Sequence, residues 1–312
     1  MSDRLSMAEI LGLTPLGERL REARLALRGD PWTPASRFDL TSLRILRPRL
    51  ALRLWMGQRP GGRRVVVYNL FTRTQTPEAE GWSVRKTTVR DFRGGTLTYD
   101  SHNGTDFATP PGTVVVAPAP ARVALVVSEF HRGGLKVMLD HGDGLCTTLG
   151  HLARALVREG DVVARGAPVA LSGASGLNFI GSLLADSPHV HFNVWLGGAP
   201  VDPFAAPGEV SLWRTGDDPG PHRGGEERTV PPAGFDEARV ASWIAACRHP
   251  GLARELAAVA TLDARACRTM FAANYYPTRF VVRIDPYGTP SARTPRLDLP
   301  FRAEDYDGVD FG

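Results

Sequence analysis

HNGTDFATPPG (residues 102–112), TTLGHL (residues 147–152) and HVHFNV (residues 189–194) decide how this chain is read. Together they hold His102, Asp106, His151, His189 and His191. Three of these side chains can close around one zinc ion, and the other two can work on water at the metal. Gly104 stands between His102 and Asp106 and frees the backbone, so that both side chains can converge on one point. His189 and His191 alternate in an apolar run, HVHFNVWL. On a strand, residues i and i+2 project from the same face, about 7 Å apart along it. At that separation one imidazole can bind a metal while the other reaches a ligand of the metal. Two histidines and one carboxylate are a common set at catalytic zinc, with a further position left open. No HExxH occurs, so the base work falls to histidine, whose unperturbed pKa is about 6.5.

The blocks around these residues resemble the M23 zinc metallopeptidases, the lysostaphin-like or LytM-type domain. The matching stretches are His102–Val123, Leu139–Leu152, Val157–Gly173 (VREGDVVARGAPVALSG), HVHFNV and Gly197–Phe204 (GGAPVDPF). They cover residues 96 to about 205, roughly a third of the chain. The resemblance implies that His102, Asp106 and His191 are zinc ligands. It implies that His151 and His189 flank the metal-bound water, as proton acceptors or as stabilisers of charge on the attacked carbonyl oxygen. It also implies a substrate: peptide bonds of bacterial cell-wall peptidoglycan. One stretch departs from the pattern. The link Ala174–Pro188 is long and carries NFIGSLLAD, and Ser187 stands where a glycine is usual. This link is either a wall or lid of the groove, or an apolar segment (Phe179, Ile180, Leu183, Leu184) packed on a neighbouring region.

The remaining histidines read differently. His141, in DHGDG, belongs to a turn between two strand-like runs. His131, His222 and His249 lie in polar segments without ligand spacing. Cys146 reads as a buried core thiol. Cys247 and Cys267 fall in helical patterns and read as free thiols.

The chain has 312 residues, 43% hydrophobic and 22% charged, with a formal net charge of +4. That composition is globular. No basic patch with interleaved aromatics points to nucleic acid, and no apolar run has the length of a transmembrane segment. The start, MSDRLSMAEILGLTPLGERL, lacks the basic start, apolar core and cleavage site of a signal peptide. The implied substrate lies in the envelope or outside the cell, so localisation stays unknown.

The expected fold is β-rich, α+β overall: an antiparallel β-sandwich or open-barrel zinc peptidase core with helical flanking regions. Four segments are expected. Residues 1–95 form an N-terminal helix and a small β region. In it, Leu16, Leu20, Ala23 and Leu27 share a helix face and Gly29 stops the helix. LALRLWM, RRVVVYNLF and WSVRKTTVRDF read as strands. This region either contacts the groove, as an inhibitory or targeting element, or extends the catalytic sheet. Residues 96–207 form the peptidase domain and residues 208–234 a linker. Residues 235–312 form a helical accessory region, with Asp236 and Asp263 as caps, Pro250 as a break, TRFVVRIDPYG as a strand and a polar tail. The function expected is that of a zinc metalloendopeptidase acting on peptidoglycan peptides. The alternatives are a non-hydrolytic LytM-type regulator of another wall hydrolase, and an interaction module in which the site is a relic.

Overall fold

The computed structural model describes residues 4–74, 80–85, 88–177 and 187–312. Among them, eleven strands form one sheet. They are β1 (Arg64–Asn69), β2 (Thr105–Ala108), β3 (Val114–Val116), β4 (Ala121–Ser128), β5 (Leu135–Asp140), β6 (Leu145–Ala155), β7 (Val162–Val163), β8 (Pro168–Ser172), β9 (His189–Leu196), β10 (Ala199–Val201) and β11 (Gly308–Phe311). The main path runs β11-β1-β2-β9-β6-β5-β4-β7, with β10 on β9, and β8 joining β3 to β6. Every pairing is antiparallel except β1 with β11. The β-rich, α+β reading therefore holds, as one open mixed sheet.

The alternation in β9 divides the molecule into layers. Val190, Phe192 and Val194 point into one core with Phe107, Leu149, Trp213 and Phe301. His189, His191, Asn193 and Trp195 take the opposite face. Trp195 ends that row beneath a second core, built with Val240, Trp243 and Met270 from the helices. Each fully buried aromatic or aliphatic side chain contributes roughly 1.5–3 kcal/mol. The histidines His189 and His191 in this otherwise largely apolar strand are polar side chains that need partners of their own.

The helices are α1 (Met7–Leu11), α2 (Leu16–Arg28), α3 (Pro48–Trp55), α4 (Glu237–Ala245), α5 (Pro250–Ala257) and α6 (Leu262–Tyr275). A 3-10 helix spans Leu40–Ile45. No helix among the described residues is long and apolar enough to cross a membrane.

Several expectations need correction. The helix α2 forms and Gly29 ends it as expected, but its Leu16, Leu20 and Leu27 face is exposed (61%, 63% and 69%). The helix buries Ala26 and Arg19 instead, because the Arg19 guanidinium donates to Thr14 O, Ser128 O and Ser128 Oγ. LALRLWM is helical, as α3. Pro48 starts it, and Ala51 and Leu54 are buried one turn apart. The run has no β-branched residue to favour a strand. Around Ser83 only a single bridge to Arg37 forms among the described residues, because the Asp100 carboxylate accepts from Ser83 Oγ and Arg85 N in place of a ladder. Thr261, not Asp263, caps α6, and Pro250 opens α5 behind the cap His249 rather than breaking a run. TRFVVRIDPYG forms no strand; Val281 and Val282 face solvent. The tail is not polar packing: Leu297, Leu299, Phe301, Tyr306 and Val309 enter the core, and β11 completes the sheet edge. Phe179, Ile180, Leu183 and Leu184 lie outside the described residues.

Candidate metal centre

The sheet register brings the site together. Asp106 on β2 pairs with His191 on β9, and His191 pairs with Gly150 on β6. His102 precedes β2 in a turn. Gly104 makes room between them. Its φ is ordinary, but a Cβ there would meet Phe192 O at 2.7 Å and His191 Nε2 at 2.8 Å. Space, rather than backbone freedom, excludes a side chain.

Candidate ligand atoms from His102, Asp106 and His191 lie within 4.8 Å of one another. His102 Nε2 is 3.1 Å from Asp106 Oδ2, and His191 Nδ1 is 2.7 Å from Asp106 Oδ1. His102 Nε2 and His191 Nδ1 are 3.3 Å apart. The outer nitrogens fix the tautomers. His102 Nδ1 donates to Leu70 O at 2.6 Å, and His191 Nε2 donates to Asn103 Oδ1 at 3.3 Å. With these outer nitrogens donating, each inner nitrogen would offer a lone pair to a metal held between it and Asp106. Asn69 Nδ2 donates to Asp106 Oδ2 at 2.9 Å, from a bulge in β1 opposite β2. Two imidazoles and a carboxylate, oriented from behind by hydrogen bonds, fit a divalent transition metal.

His151 and His189 border the same point. Their ring centroids are 4.5 Å apart, and His189 Nε2 lies 3.6 Å from Asp106 Oδ1. His151 sits at φ 57°, in the left-handed region that a side chain rarely adopts. An extra residue of β6 opposite β5 produces this, and the bulge swings the imidazole toward the metal centre. His151 Nδ1 donates to Ser175 O and His189 Nδ1 to Ser187 O, both at 2.7 Å; Tyr68 Oη also lies 2.6 Å from His189 Nδ1. Both Nε2 atoms are left as lone-pair acceptors. Burial, and then the like-charge fields of His189 and His191, hold the His151 pKa well below that of a free histidine. At Asp106 burial works to raise the carboxyl, but the fields of His102 and His189 outweigh it and keep it well below the usual range.

A cavity of about 350 Å³ opens on His151 and His191. Its walls include Ala26, Phe38, Leu43 and Leu46 from the N-terminal segment and Tyr275 from α6. A polar chain missed by sequence reading runs behind the site. Tyr275 Oη donates to Asn193 Oδ1 at 3.0 Å, Asn193 Nδ2 donates to Asn103 Oδ1 at 3.0 Å, and Asn103 Oδ1 accepts from His191. Asn193 was within reach, since it shares the His191 face of β9; Tyr275 had no local signal. Of the other histidines, His141 is fully buried, its Nδ1 donating to Pro120 O at 3.0 Å and its Nε2 accepting from Thr147 Oγ1 at 2.9 Å. Cys146, Cys247 and Cys267 are free thiols.

One sheet thus carries a His-Asp-His cluster that could hold a metal ion, with two further histidines beside it. Residues 100–203 match the model for Peptidase family M23, and this stretch of the chain is an M23 peptidase domain. Relatives include the peptidoglycan DD-endopeptidase ShyB of Vibrio cholerae, 37% identical over 105 residues, which are 34% of this chain and 23% of that protein. An uncharacterized metalloprotease of Haemophilus influenzae is 36% identical over 103 residues, 33% of this chain and 20% of that one. The chain thus spans about a fifth to a quarter of the length of these curated relatives. Among solved structures, a zinc-containing peptidase from Vibrio cholerae is 28% identical, covering 45% of this chain and 38% of its own, at a TM-score of 0.33.

Proposed function

We propose that the chain is a zinc metalloendopeptidase that hydrolyses peptide bonds of bacterial peptidoglycan. The observation that carries this reading is the convergence of His102 Nε2, Asp106 and His191 Nδ1 beside two histidines whose Nε2 atoms are free to take protons. Zinc held there supplies Lewis-acid polarisation of a carbonyl and acidification of water. His102, Asp106 and His191 hold it. His151 Nε2 or His189 Nε2 accepts the proton of the attacking water and returns it to the leaving amine. Burial keeps His151 neutral, and therefore able to act as a base. The peptidoglycan substrate is supported by the names of relatives such as the ShyB DD-endopeptidase.

Residues 96–207 carry the five site residues in this reading, and residues 1–95 and 235–312 complete the same sheet and core through β1 and β11. The stretch 208–234 connects them, with Leu212 and Trp213 buried in the core as its anchor. The N-terminal segment forms one wall of the substrate cleft through Phe38, Leu43 and Leu46.

The test is mass spectrometry of muropeptides released from purified sacculi by the zinc-loaded protein, alongside elemental analysis. Zinc-dependent release of peptide-cleaved fragments supports the reading. Stoichiometric zinc without any release would instead favour a non-hydrolytic regulator.

A further inference from the structure

His131 and Arg132 lie on the turn between β4 and β5, in the wall of the cavity that opens on His151 and His191. His151 N donates to Gly133 O at 2.7 Å, which ties this turn to the strand that carries the site. The Arg132 guanidinium is 5.8 Å from the centre of the Trp82 ring and 5.6 Å from that of Tyr276. These aromatic faces fix the cation but satisfy none of its N–H groups. Among the described residues the guanidinium has no carboxylate partner and no hydrogen bond, and its Nε is enclosed. The neighbouring acid Glu129 is already bonded to Lys136 Nζ at 2.9 Å. Burial pushes the Arg132 pKa down to about 10, although the fields of Tyr276 and Glu129 work to raise it.

His131 is 6% exposed, and among the described residues neither ring nitrogen has a hydrogen-bond partner. The other cations near it are engaged: Lys136 with Glu129, and Arg279 Nε with Thr33 Oγ1 at 2.9 Å. Among the described residues, this corner of the cleft holds a guanidinium without an ion-pair partner and an imidazole without a hydrogen bond. An apolar or cationic group gains nothing there, whereas a planar carboxylate matches the guanidinium fork.

We propose that Arg132, assisted by His131, binds a carboxylate of the peptide substrate, so that the cleft selects peptides carrying a free carboxylate close to the bond presented to His151 and His189. The proposal rests on the peptidase reading for its ligand class, but its test does not need turnover. Calorimetry on the full zinc-loaded chain, in a His151→Ala background, compares N-acetyl-D-alanyl-D-alanine with its C-terminal amide. The free acid is expected to bind about 10- to 100-fold more tightly, the range for a charge-assisted hydrogen bond. Arg132→Gln should bring that ratio close to one. Arg132→Lys, which keeps the charge without the fork, should retain part of it, with circular dichroism checking the fold of both variants. Equal binding of acid and amide, no binding of either at millimolar concentrations, or a preference that survives Arg132→Gln each overturns the proposal. A carboxylate preference in a protein that cuts no sacculus supports the binding site while defeating the peptidase reading.

Discussion

At Gly104 a single methyl group is enough to disturb the metal centre. It would press on His191 Nε2 and Phe192 O, and the strand cannot retreat from its own ladder. Gly104→Ala is therefore expected to weaken zinc binding by about tenfold or more, the effect typical of a disturbed ligand support. Competition with a chromophoric chelator measures this, and an unchanged affinity would remove the steric argument. Asp106→Ala and His191→Ala should each lose most of the metal by elemental analysis. His151→Ala and His189→Ala should keep it and lose on the order of 10²–10⁴ in rate. Zinc lost from His189→Ala but retained in His191→Ala would reverse the two roles. The five residues were legible in the sequence because their spacing is local to strands and turns. His131 and Arg132 were not: what singles them out is a lack of polar partners among the described residues, which only the packed structure shows.

Among the elements, α6 is the least expected contributor. It reaches the metal centre through Tyr275, Asn193 and Asn103 rather than by touching it. Tyr275→Phe removes one hydroxyl from this chain. It should lower zinc affinity about tenfold, within the range for outer partners of a ligand, while the helix keeps its packing on Trp195. Equal affinity in both proteins would reduce α6 to a packing role. The sequence was most readable where pattern and burial agree, as in HVHFNVWL. It misleads in LALRLWM, where a run of leucines suggests a strand although Pro48 and the lack of β-branching mark a helix. It also misled in the last 20 or so residues, whose apolar positions are too scattered to show a period. Those residues are buried by partners far away in sequence, Val65 and Phe107 among them.

For the molecule as a whole, acid is the expected weakness. Burial first of all pushes His141 down to about 3 and His131 to about 3. The unfolded chain takes up these protons near the ordinary value of 6.5, while the folded chain resists them until about pH 3. Their contribution to stability is full above pH 6.5 and is lost as pH falls toward 3. Asp202, raised to about 6 by burial, acts in the opposite sense as pH falls below that point, so the comparison must be made by substitution. Thermal unfolding of His141→Gln should show a shallower loss between pH 6.5 and 3 than the parent; parallel profiles would contradict the assignment. Removing residues 1–90 takes β1 from between β2 and β11. The truncated chain is expected to be insoluble, through exposed strand edges, and a soluble, zinc-binding product would show that β1 is dispensable. The parallel pairing of Arg64 with Gly308 also has a kinetic meaning. Its two halves are about as distant along the chain as any contact in the molecule, so loop closure opposes it until the intervening sheet has formed. During synthesis, β1 must wait with one side unsatisfied until β11 has emerged, and that interval is when a chaperone would be needed most.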